Sequence, residues 1–500
     1  MTPTFLPPEN HPWFRWYCPR PDVKILFYTD DASVRFDANS PFGVSTLRDL
    51  ISTHNTFHAT FTVDLVDRHD GGHAARKLTA GLLSGYDQLW IFGVRQCNRP
   101  VEPENELTDP EVEALRVWMG RGGRRGGVLI TGDHSNPRPF DADPGLDHLL
   151  NLGRAIGRRV PRAGGLRVWD GLPDASVAGS HNTQEPDDLN TSLDNLALQQ
   201  DAIPQRLILK RYPLGWTWPF WVRRSRPHPL FCGRSGPIDV FPDHMHEGAL
   251  AMPAVLPQAD WPGGPFGQPL PEVVARGTDK RTGEIYDVVS AYDGEPAGVG
   301  RIVADSTWHH YFNINLGGFP SGPVRDSIAD YYVNLAVWLS PPARRWAMRC
   351  WFWWYLAQHP SVRMVAGQSL AVVGRSALDV LGRRASQCVV TDLIWPFPIP
   401  LDAREAYPWP PEEIVVGSVL TGYHRAFERA GTAEVDPPTR QEIIRGGIER
   451  AVEEHVAQLR RMASAAADLD GVVASGLRFA ERETGPDAGP DDGSGAGAEI

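Results

Sequence analysis

The feature that most constrains the fold of this chain is a glycine pair followed by a short apolar run that ends in two ionisable residues. Residues 126–135 read Gly-Gly-Val-Leu-Ile-Thr-Gly-Asp-His-Ser, so the run leads into Asp133 and His134. A buried strand of a parallel sheet has this pattern, because both of its faces are covered and its carboxyl end opens on the crevice where ligands bind. The run therefore predicts an α/β protein with a polar site at the carboxyl ends of its strands.

Two further apolar runs end in the same way, at residues 23–29 and 300–304. The polar residues that follow them are Asp30, Asp31, Asp305, His309 and His310. Three parallel strands that place carboxylates and imidazoles at the same end predict one polar site. Such a group suits acid/base chemistry or the binding of a divalent metal.

A structural interpretation of the same residues stays open. Asp and Ser often cap the helices that follow strands, and this alternative has even weight for Asp31 and Asp305. At Asp133 and His134 no helix start follows at once, and an imidazole is hard to explain as a cap, so a functional role is favoured there.

From residue 23 to about residue 340 the pattern alternates between strands and helices. A capped helix is predicted over Thr108–Met119, with Pro110 and acidic residues in its first turn. Alternating strands and helices favour a doubly wound, mostly parallel sheet, because right-handed crossovers place helices on both of its faces. Residues 136–298 are rich in Pro and Gly and predict insertions over the site.

Four segments follow from this pattern. Residues 1–22 are an N-terminal extension, and residues 23–340 form the α/β domain. After Pro341-Pro342, residues 343–358 read as an aromatic helix, 362–381 as a second helix and 440–467 as a charged amphipathic helix, so residues 341–484 are expected to be mainly helical. Residues 485–500 form an acidic tail with the composition of a disordered segment.

Two loops carry further candidate residues. The run His244-Met245-His246-Glu247 places two imidazoles on one side of an extended chain, which is half of a metal site, although a polar loop over the crevice explains it equally simply. His181 and Asn182 lie in a segment rich in Asp and Asn that suits hydrogen bonding to a polyol, and also suits an ordinary surface turn. A divalent metal is therefore a candidate cofactor, and the sequence establishes no cofactor with certainty.

The 17 tryptophans and five cysteines allow narrower statements. Trp308 follows the third run and is a candidate for packing against a ligand, whereas the tryptophans of residues 346–354 are expected to bury a helix or to contact a partner. The cysteines are scattered and contain no CxxC pair, so they indicate neither a disulfide framework nor a thiolate zinc site. Cys97 follows a predicted strand, but an inert thiol is the simpler interpretation.

Charge and hydropathy exclude several classes of protein. A net charge of -12 argues against a general nucleic-acid binder, which needs a basic face. No stretch approaches the ~20 apolar residues of a membrane span, and the first residues lack the basic and apolar regions of a signal peptide. We therefore expect a cytoplasmic protein without nucleic-acid or membrane partners.

Four segments and their order, residues 23–31, 86–94, 126–134 and 300–310, resemble those of the ThuA-like family, within the class I glutamine amidotransferase-like superfamily. The segment that carries most of the resemblance is residues 300–310, Gly-Arg-Ile-Val-Ala-Asp-Ser-Thr-Trp-His-His. The resemblance covers the first 340 residues and implies a flavodoxin-like fold and a link to sugar metabolism, with action on oxidised disaccharides. In the amidotransferases of this superfamily the matching turn carries the catalytic Cys, whereas ThuA-like proteins lack that Cys and tend to have a His at this turn, which His134 matches. Here that turn reads Gly132-Asp133-His134, so a thiol-dependent glutaminase is not expected.

Two functions from different classes remain open. One is an enzyme, for example a hydrolase, acting on a polar small molecule such as a carbohydrate derivative. Its catalytic candidates are Asp31, Asp133, His134, His309 and His310, and its substrate-binding candidates are Asp30, His181, Asn182, Asp305 and Trp308. The other is a non-catalytic ligand-binding or scaffolding protein whose aromatic C-terminal helix docks a protein partner or a second copy.

Overall fold

The structure is a computed structural model. It describes residues 20–55, 57–72, 75–92, 107–131, 170–172, 203–217, 222–242, 247, 249–251, 262–264, 268–280, 282–394, 410–430 and 435–483.

An eight-stranded sheet lies at the centre of the molecule. The strands of the described residues are β1 (Asp22–Thr29), β2 (Thr60–Asp67), β3 (Gln88–Phe92), β4 (Gly127–Thr131), β5 (Asp170–Leu172), β6 (Gln205–Arg206), β7 (Ile208–Leu209), β8 (Arg211–Thr217), β9 (Val222–Pro227), β10 (Cys232–Gly233), β11 (Gly236–Pro237), β12 (Val240–Phe241), β13 (Ala249–Ala251), β14 (Glu272–Thr278), β15 (Ile285–Tyr292) and β16 (Ile302–Asp305). The central sheet has the order β2-β1-β3-β4-β16-β15-β14-β7. Its first five strands are parallel and its last three run antiparallel to their neighbours, so the expected mostly parallel α/β sheet is confirmed.

The remaining strands form small antiparallel pairs, namely β5 with β13, β6 with β12, β8 with β9 and β10 with β11. These pairs belong to the predicted insertions. The β6–β12 pair is the one that matters for the site, because it brings Gln205 opposite Phe241.

Helices cover both faces of the sheet. The helices are α1 (Ser45–Thr53), α2 (Ala80–Ser84), α3 (Asp109–Met119), α4 (Asn313–Gly317), α5 (Pro323–Trp338), α6 (Pro342–Gln358), α7 (Pro360–Arg363), α8 (Leu370–Gly382), α9 (Gln387–Ile394), α10 (Glu412–Ala430) and α11 (Pro437–Glu483). Helices α2 and α3 share an apolar cluster with one face of the strands, and α1, α5 and α6 share a larger cluster with the other. Every residue of β3 and β4 is buried, as a strand covered on both faces must be.

The helix ends follow the local sequence in most places. Helix α3 begins with a capping box in which Thr108 and Glu111 exchange hydrogen bonds, as the sequence indicated. The helix expected over residues 362–381 is instead two helices, α7 and α8, separated by a turn that contains Gly367. Helix α11 extends to Glu483, well past the predicted end near residue 467.

The C-terminal helices are not separate from the sheet. One continuous apolar cluster joins the strands to α6, α8, α10 and α11. Arginines at the start of α6 add polar contacts, since Arg344 Nε lies 3.0 Å from Asp87 Oδ2 and Arg345 Nη2 lies 2.5 Å from Glu295 Oε2. Glu295 also accepts from Arg301, which is itself buried beside β16.

The aromatic helix α6 faces inward. Trp351, Phe352 and Trp353 are at most 2% exposed, so the chain's own core already covers them. Of the two expected roles of this helix, these three side chains thus have the packing role, while Trp346 and Trp354 are partly exposed and a partner contact stays a prediction. An apolar stripe on a helix can be buried against any apolar surface, and in this protein the face of the sheet is that surface.

Two further observations concern the cysteines and the helices. Cys232 is disulfide-bonded, so the scattered cysteines do take part in a disulfide that their spacing did not indicate. Within the described residues, none of the helices combines the length and the apolarity that crossing a bilayer requires.

Candidate functional site

The carboxyl end of β16 opens into a tight turn that holds the candidate histidines. After Asp305 the chain bends, because the Asp305 carboxylate accepts from the backbone N–H of Thr307 at 3.2 Å and the Thr307 hydroxyl accepts from the N–H of His309 at 3.2 Å. A 3-10 turn over His309–Tyr311 follows. Asp305 therefore caps its own turn, which was the structural alternative, and it also contacts a histidine.

His310 lies between two carboxylates. Its Nδ1 is 2.8 Å from Asp305 Oδ1 and its Nε2 is 2.6 Å from Glu247 Oε1. All three side chains are at most 1% exposed. The structure thus brings together two predicted residues of the β16 end with Glu247 of the His-x-His-Glu run, which lies 63 positions away in the sequence.

The other oxygen of Glu247 is bound as well. Tyr286 donates its hydroxyl to Glu247 Oε2 at 2.5 Å, and the Gln205 amide donates to the same oxygen at 2.9 Å. Gln205 also offers its Oε1 to His310 Nε2 at 3.2 Å. Sequence reasoning missed Gln205 of β6 and Tyr286 of the central strand β15, and no local signal marks them, because each is a single polar residue in its strand.

Aromatic side chains enclose the network. Tyr311 donates to Asp305 Oδ2 at 2.8 Å, and the Tyr332 hydroxyl donates to the backbone oxygen of His310. The ring of Phe241 lies 4.7 Å from the His310 ring and 4.6 Å from the Tyr331 ring, measured between centroids. The charged groups are therefore surrounded by rings that exclude water.

The charge state of His310 follows from this geometry. Burial disfavours the imidazolium, but the carboxylates of Asp305 and Glu247 outweigh it and raise the pKa of His310 to about 10. Burial and Asp305 also raise the pKa of Tyr311 well above its usual range, so its hydroxyl keeps its proton and donates it. At neutral pH the cluster is an imidazolium bonded to two carboxylates.

An imidazolium held between two carboxylates suits the positioning of neighbouring residues better than it suits proton transfer to or from a substrate. A general base near neutral pH needs a lone pair, and both ring nitrogens of His310 face carboxylate oxygens. We expect this cluster to fix the turn after β16 against the insertion strand β12 and Glu247. The role of His310 as a proton-transfer group stays a prediction without support from this geometry.

The neighbouring candidates His309 and Trp308 are also buried, at 1% and 7% exposure. The Trp308 ring lies 5.0 Å from the Phe312 ring, and the His309 ring lies 6.1 Å from the Phe42 ring. Trp308 is therefore enclosed by other side chains, and it does not form an open aromatic face of the kind that stacks on a sugar.

At the end of β1 the two candidate aspartates have separate surroundings. Asp31 Oδ1 accepts from the backbone N–H of Ser33 at 2.8 Å and from its hydroxyl at 2.7 Å, so Asp31 forms a local turn of the kind that Asp residues favour. Asp30 interacts electrostatically with Arg68. Asp31 therefore has a local structural contact, but it does not cap the helix that follows, because α1 begins only at Ser45.

A second buried ion pair lies beside the end of β1 and was not anticipated from the sequence. Arg68 Nη2 is 2.7 Å from Glu111 Oε2, with both side chains at most 1% exposed. Glu111 also accepts from the backbone N–H groups of Leu78 at 3.1 Å and Thr108 at 2.8 Å, and from the Tyr28 hydroxyl at 3.3 Å. The pair fixes the segments that follow β2 and precede α3.

Several candidates lie outside the described residues, namely Cys97, Asp133, His134, His181, Asn182, His244 and His246. Within the described part of the chain, no group of three or more His, Cys, Asp or Glu side chains has the arrangement of a metal site. Both oxygens of Glu247 already accept hydrogen bonds, so this residue would have to give up protein donors to bind an ion.

A comparison of this chain with protein families, with curated proteins and with solved structures found no match.

Proposed function

We propose that this protein binds a polar small molecule, a carbohydrate derivative, at the carboxyl ends of its parallel strands and hydrolyses it by acid/base chemistry. The catalytic pair is Asp133 and His134, two and three residues past the end of β4 in the sequence. No thiolate takes part, because the sequence has no Cys at this turn. This proposal rests on the resemblance to ThuA-like proteins together with the geometry of the sheet.

The observation that carries the proposal is the order of the parallel strands. The parallel strands have the order β2-β1-β3-β4-β16, which supports the flavodoxin-like arrangement that the resemblance implies. In such sheets the chain leaves β1 in one direction and β3 in the other, and ligands bind in the crevice outside the carboxyl ends. Asp30, Asp31 and Asp305 lie at the carboxyl ends of β1 and β16, and Asp133 and His134 follow β4 in the sequence.

The buried cluster of His310, Asp305 and Glu247 has a supporting part in this proposal. It ties the turn after β16 to Glu247, which lies in an insertion. A catalytic pair on neighbouring β4 needs a rigid surround to keep its geometry, because small displacements of reacting groups reduce rates strongly. The cluster is thus a positioning element, and it does not itself exchange protons with substrate.

The test uses purified full-length protein with sucrose, trehalose and lactobionic acid, an oxidised disaccharide, as probes. We expect lactobionic acid to raise the melting temperature and to be cleaved, with products followed by mass spectrometry. Asp133→Asn should abolish cleavage, because an amide cannot transfer the proton. Asp49→Asn is the matched control, since Asp49 is an exposed residue of α1, and it should behave as the parent protein.

The outcomes separate the two parts of the proposal. A thermal shift without cleavage would retain the ligand site and reject the hydrolase. Neither a shift nor cleavage with any of the three probes would reject the carbohydrate proposal. Cleavage that survives Asp133→Asn would place the chemistry elsewhere.

A non-catalytic ligand-binding or scaffolding role is the second candidate. It is favoured by the engagement of Asp31, Asp305, His310 and Glu247, whose polar atoms are held by other protein groups. Under this alternative the same crevice binds a ligand without turnover, and Asp133→Asn changes affinity alone.

A further inference from the structure

Helix α11 continues far beyond the part of the chain that it packs against. Its first turns are buried, with Ile444 and Ile448 at most 3% exposed, and they belong to the large apolar cluster. From Arg460 to Val473 every residue is exposed. We name residues 456–483 the distal segment; at 1.5 Å per residue it is about 42 Å long.

The distal segment has an apolar stripe on its exposed surface. Met462 is 60% exposed, Leu469 63% and Val473 52%. Single exposed apolar residues are ordinary, but a contiguous row on one helix is typical of an interaction surface. Exposure of this row to water is unfavourable in free energy, and contact with another apolar surface would remove that exposure.

The stripe has the spacing of a coiled coil. Apolar residues alternate at intervals of four and three along one seam, and the single polar member is His455. The seam residues are Ile448, Val452, His455, Leu459, Met462, Ala466, Leu469 and Val473. Nearly four heptads of this pattern indicate pairing with another helix, and the charged residues Arg460, Arg461 and Asp468 lie off the seam.

The first part of the same seam is already paired within the chain. Gly447 of α11 lies against Val419 of α10, and Gly422 of α10 lies against Ile443 of α11, so the two helices run antiparallel. Helix α10 begins at Glu412, and by this register its start lies near residue 454 of α11. The seam therefore continues past the end of its intrachain partner.

We propose that the distal segment pairs antiparallel with the distal segment of a second copy of this chain. The distal segment of the second copy then runs in the same direction as α10. It pairs with the part of α11 that lies beyond the start of α10. A two-fold axis between Ala467 and Asp468 places Met462 opposite Val473 of the second copy and Ala466 opposite Leu469. Each layer thus sets a smaller side chain against a larger one, as interdigitated packing requires.

Light scattering coupled to gel filtration tests the proposal on the full-length protein at micromolar concentration. We expect a dimer, and Leu469→Asp should convert it to a monomer, because a carboxylate at the seam would be buried without a partner. Ser464→Asp is the matched control, as it adds the same charge to the same helix on the opposite face. It should remain a dimer. At protein concentrations well below the dimer's dissociation constant, both variants should have the same melting temperature as the parent protein.

The direction of pairing is tested by cross-linking. Oxidation of the double variant Met462→Cys/Val473→Cys should give a covalent dimer, and each single variant should give none, because only the antiparallel register brings 462 next to 473. A monomeric parent protein, or a dimer that survives Leu469→Asp, would overturn the proposal. Cross-linking by either single variant, at the yield of the double variant, would overturn the antiparallel register.

Discussion

At the scale of single residues, the most consequential group is the imidazole of His310. It has two carboxylates within 2.8 Å and almost no contact with water. Removing one member of such a buried set is costly, because the charges that remain lose their partner. The cluster is therefore a strong local constraint on the turn after β16.

The stability of the protein should fall as pH rises from about 6.5 to about 10. In the unfolded chain a histidine has a pKa near 6.5, whereas in the folded protein the two carboxylates raise the pKa of His310 to about 10. Below pH 6.5 both states hold the proton and the stabilisation is complete. Between the two values only the folded state holds it, so each pH unit removes up to about 1 kcal/mol from the free energy of unfolding.

Urea denaturation at several pH values measures this slope. His310→Gln is the comparison: it should lower the free energy of unfolding by about 3–5 kcal/mol near neutral pH and flatten the pH dependence. His455→Gln, on α11 and away from the cluster, should keep the parent slope. Equal slopes for the parent and His310→Gln would contradict the charged state inferred for His310.

At the scale of elements, close helix packing in the C-terminal region depends on glycine. A Cβ atom at Gly374 of α8 would overlap the backbone of Glu413 in α10, and a Cβ atom at Gly417 of α10 would overlap the backbone of Leu370 in α8. The two helices approach so closely because neither has a side chain at the crossing. Intrinsic helix propensity, which disfavours glycine by about 1 kcal/mol, is overruled here by packing.

We expect Gly374→Ala to destabilise the protein by about 1–3 kcal/mol, because the overlap must be relieved by moving backbone. Gly382→Ala, in the same helix, is the control; nothing lies near its Cβ position, so it should be neutral or mildly stabilising. Chemical denaturation of the two variants gives the comparison. A stabilising effect of Gly374→Ala would show that α8 and α10 are further apart than the structure has them.

Elements were more predictable from the sequence than contacts. Apolar runs located β1, β4 and β16, and Pro110 with acidic residues in the first turn located α3, because burial on both faces and the start of a helix are local requirements. The contact of Glu247 with His310 was not predictable, since it depends on how a long insertion returns to the sheet. The start of α1 shows the same limit, because a distant residue caps it: the side-chain oxygen of Asn313 accepts from the backbone N–H of Thr46.

At the scale of the whole molecule, the sheet and the C-terminal helices form one apolar cluster. The sequence indicated a boundary at Pro341-Pro342, and the chain does change there from sheet to helices. The turn breaks the helix without separating the cores, because α6 begins at Pro342 and packs back on the sheet. Helix-breaking residues such as Pro341-Pro342 indicate where a helix ends more reliably than they indicate where one cooperatively folding unit ends and the next begins.

A chain that ends at residue 340 should therefore fail to fold cooperatively. It would expose the apolar surface that α6 covers and leave Asp87 without Arg344 and Glu295 without Arg345. We expect loss of the near-ultraviolet circular dichroism signal and binding of a hydrophobic dye. Sharp two-state unfolding of the shortened chain would show that residues 23–340 are an independent domain. The full chain, measured in parallel, is the reference.

The pairing of β4 with β16 has a consequence for synthesis on the ribosome. The two strands are neighbours in the sheet, yet residues 132–301 separate them along the chain. While these residues are being translated, the open edge of β4 has no partner, and its buried apolar side chains are accessible to other nascent chains. A pause in translation before residue 302 would prolong this exposure, whereas rapid elongation through that region would shorten it.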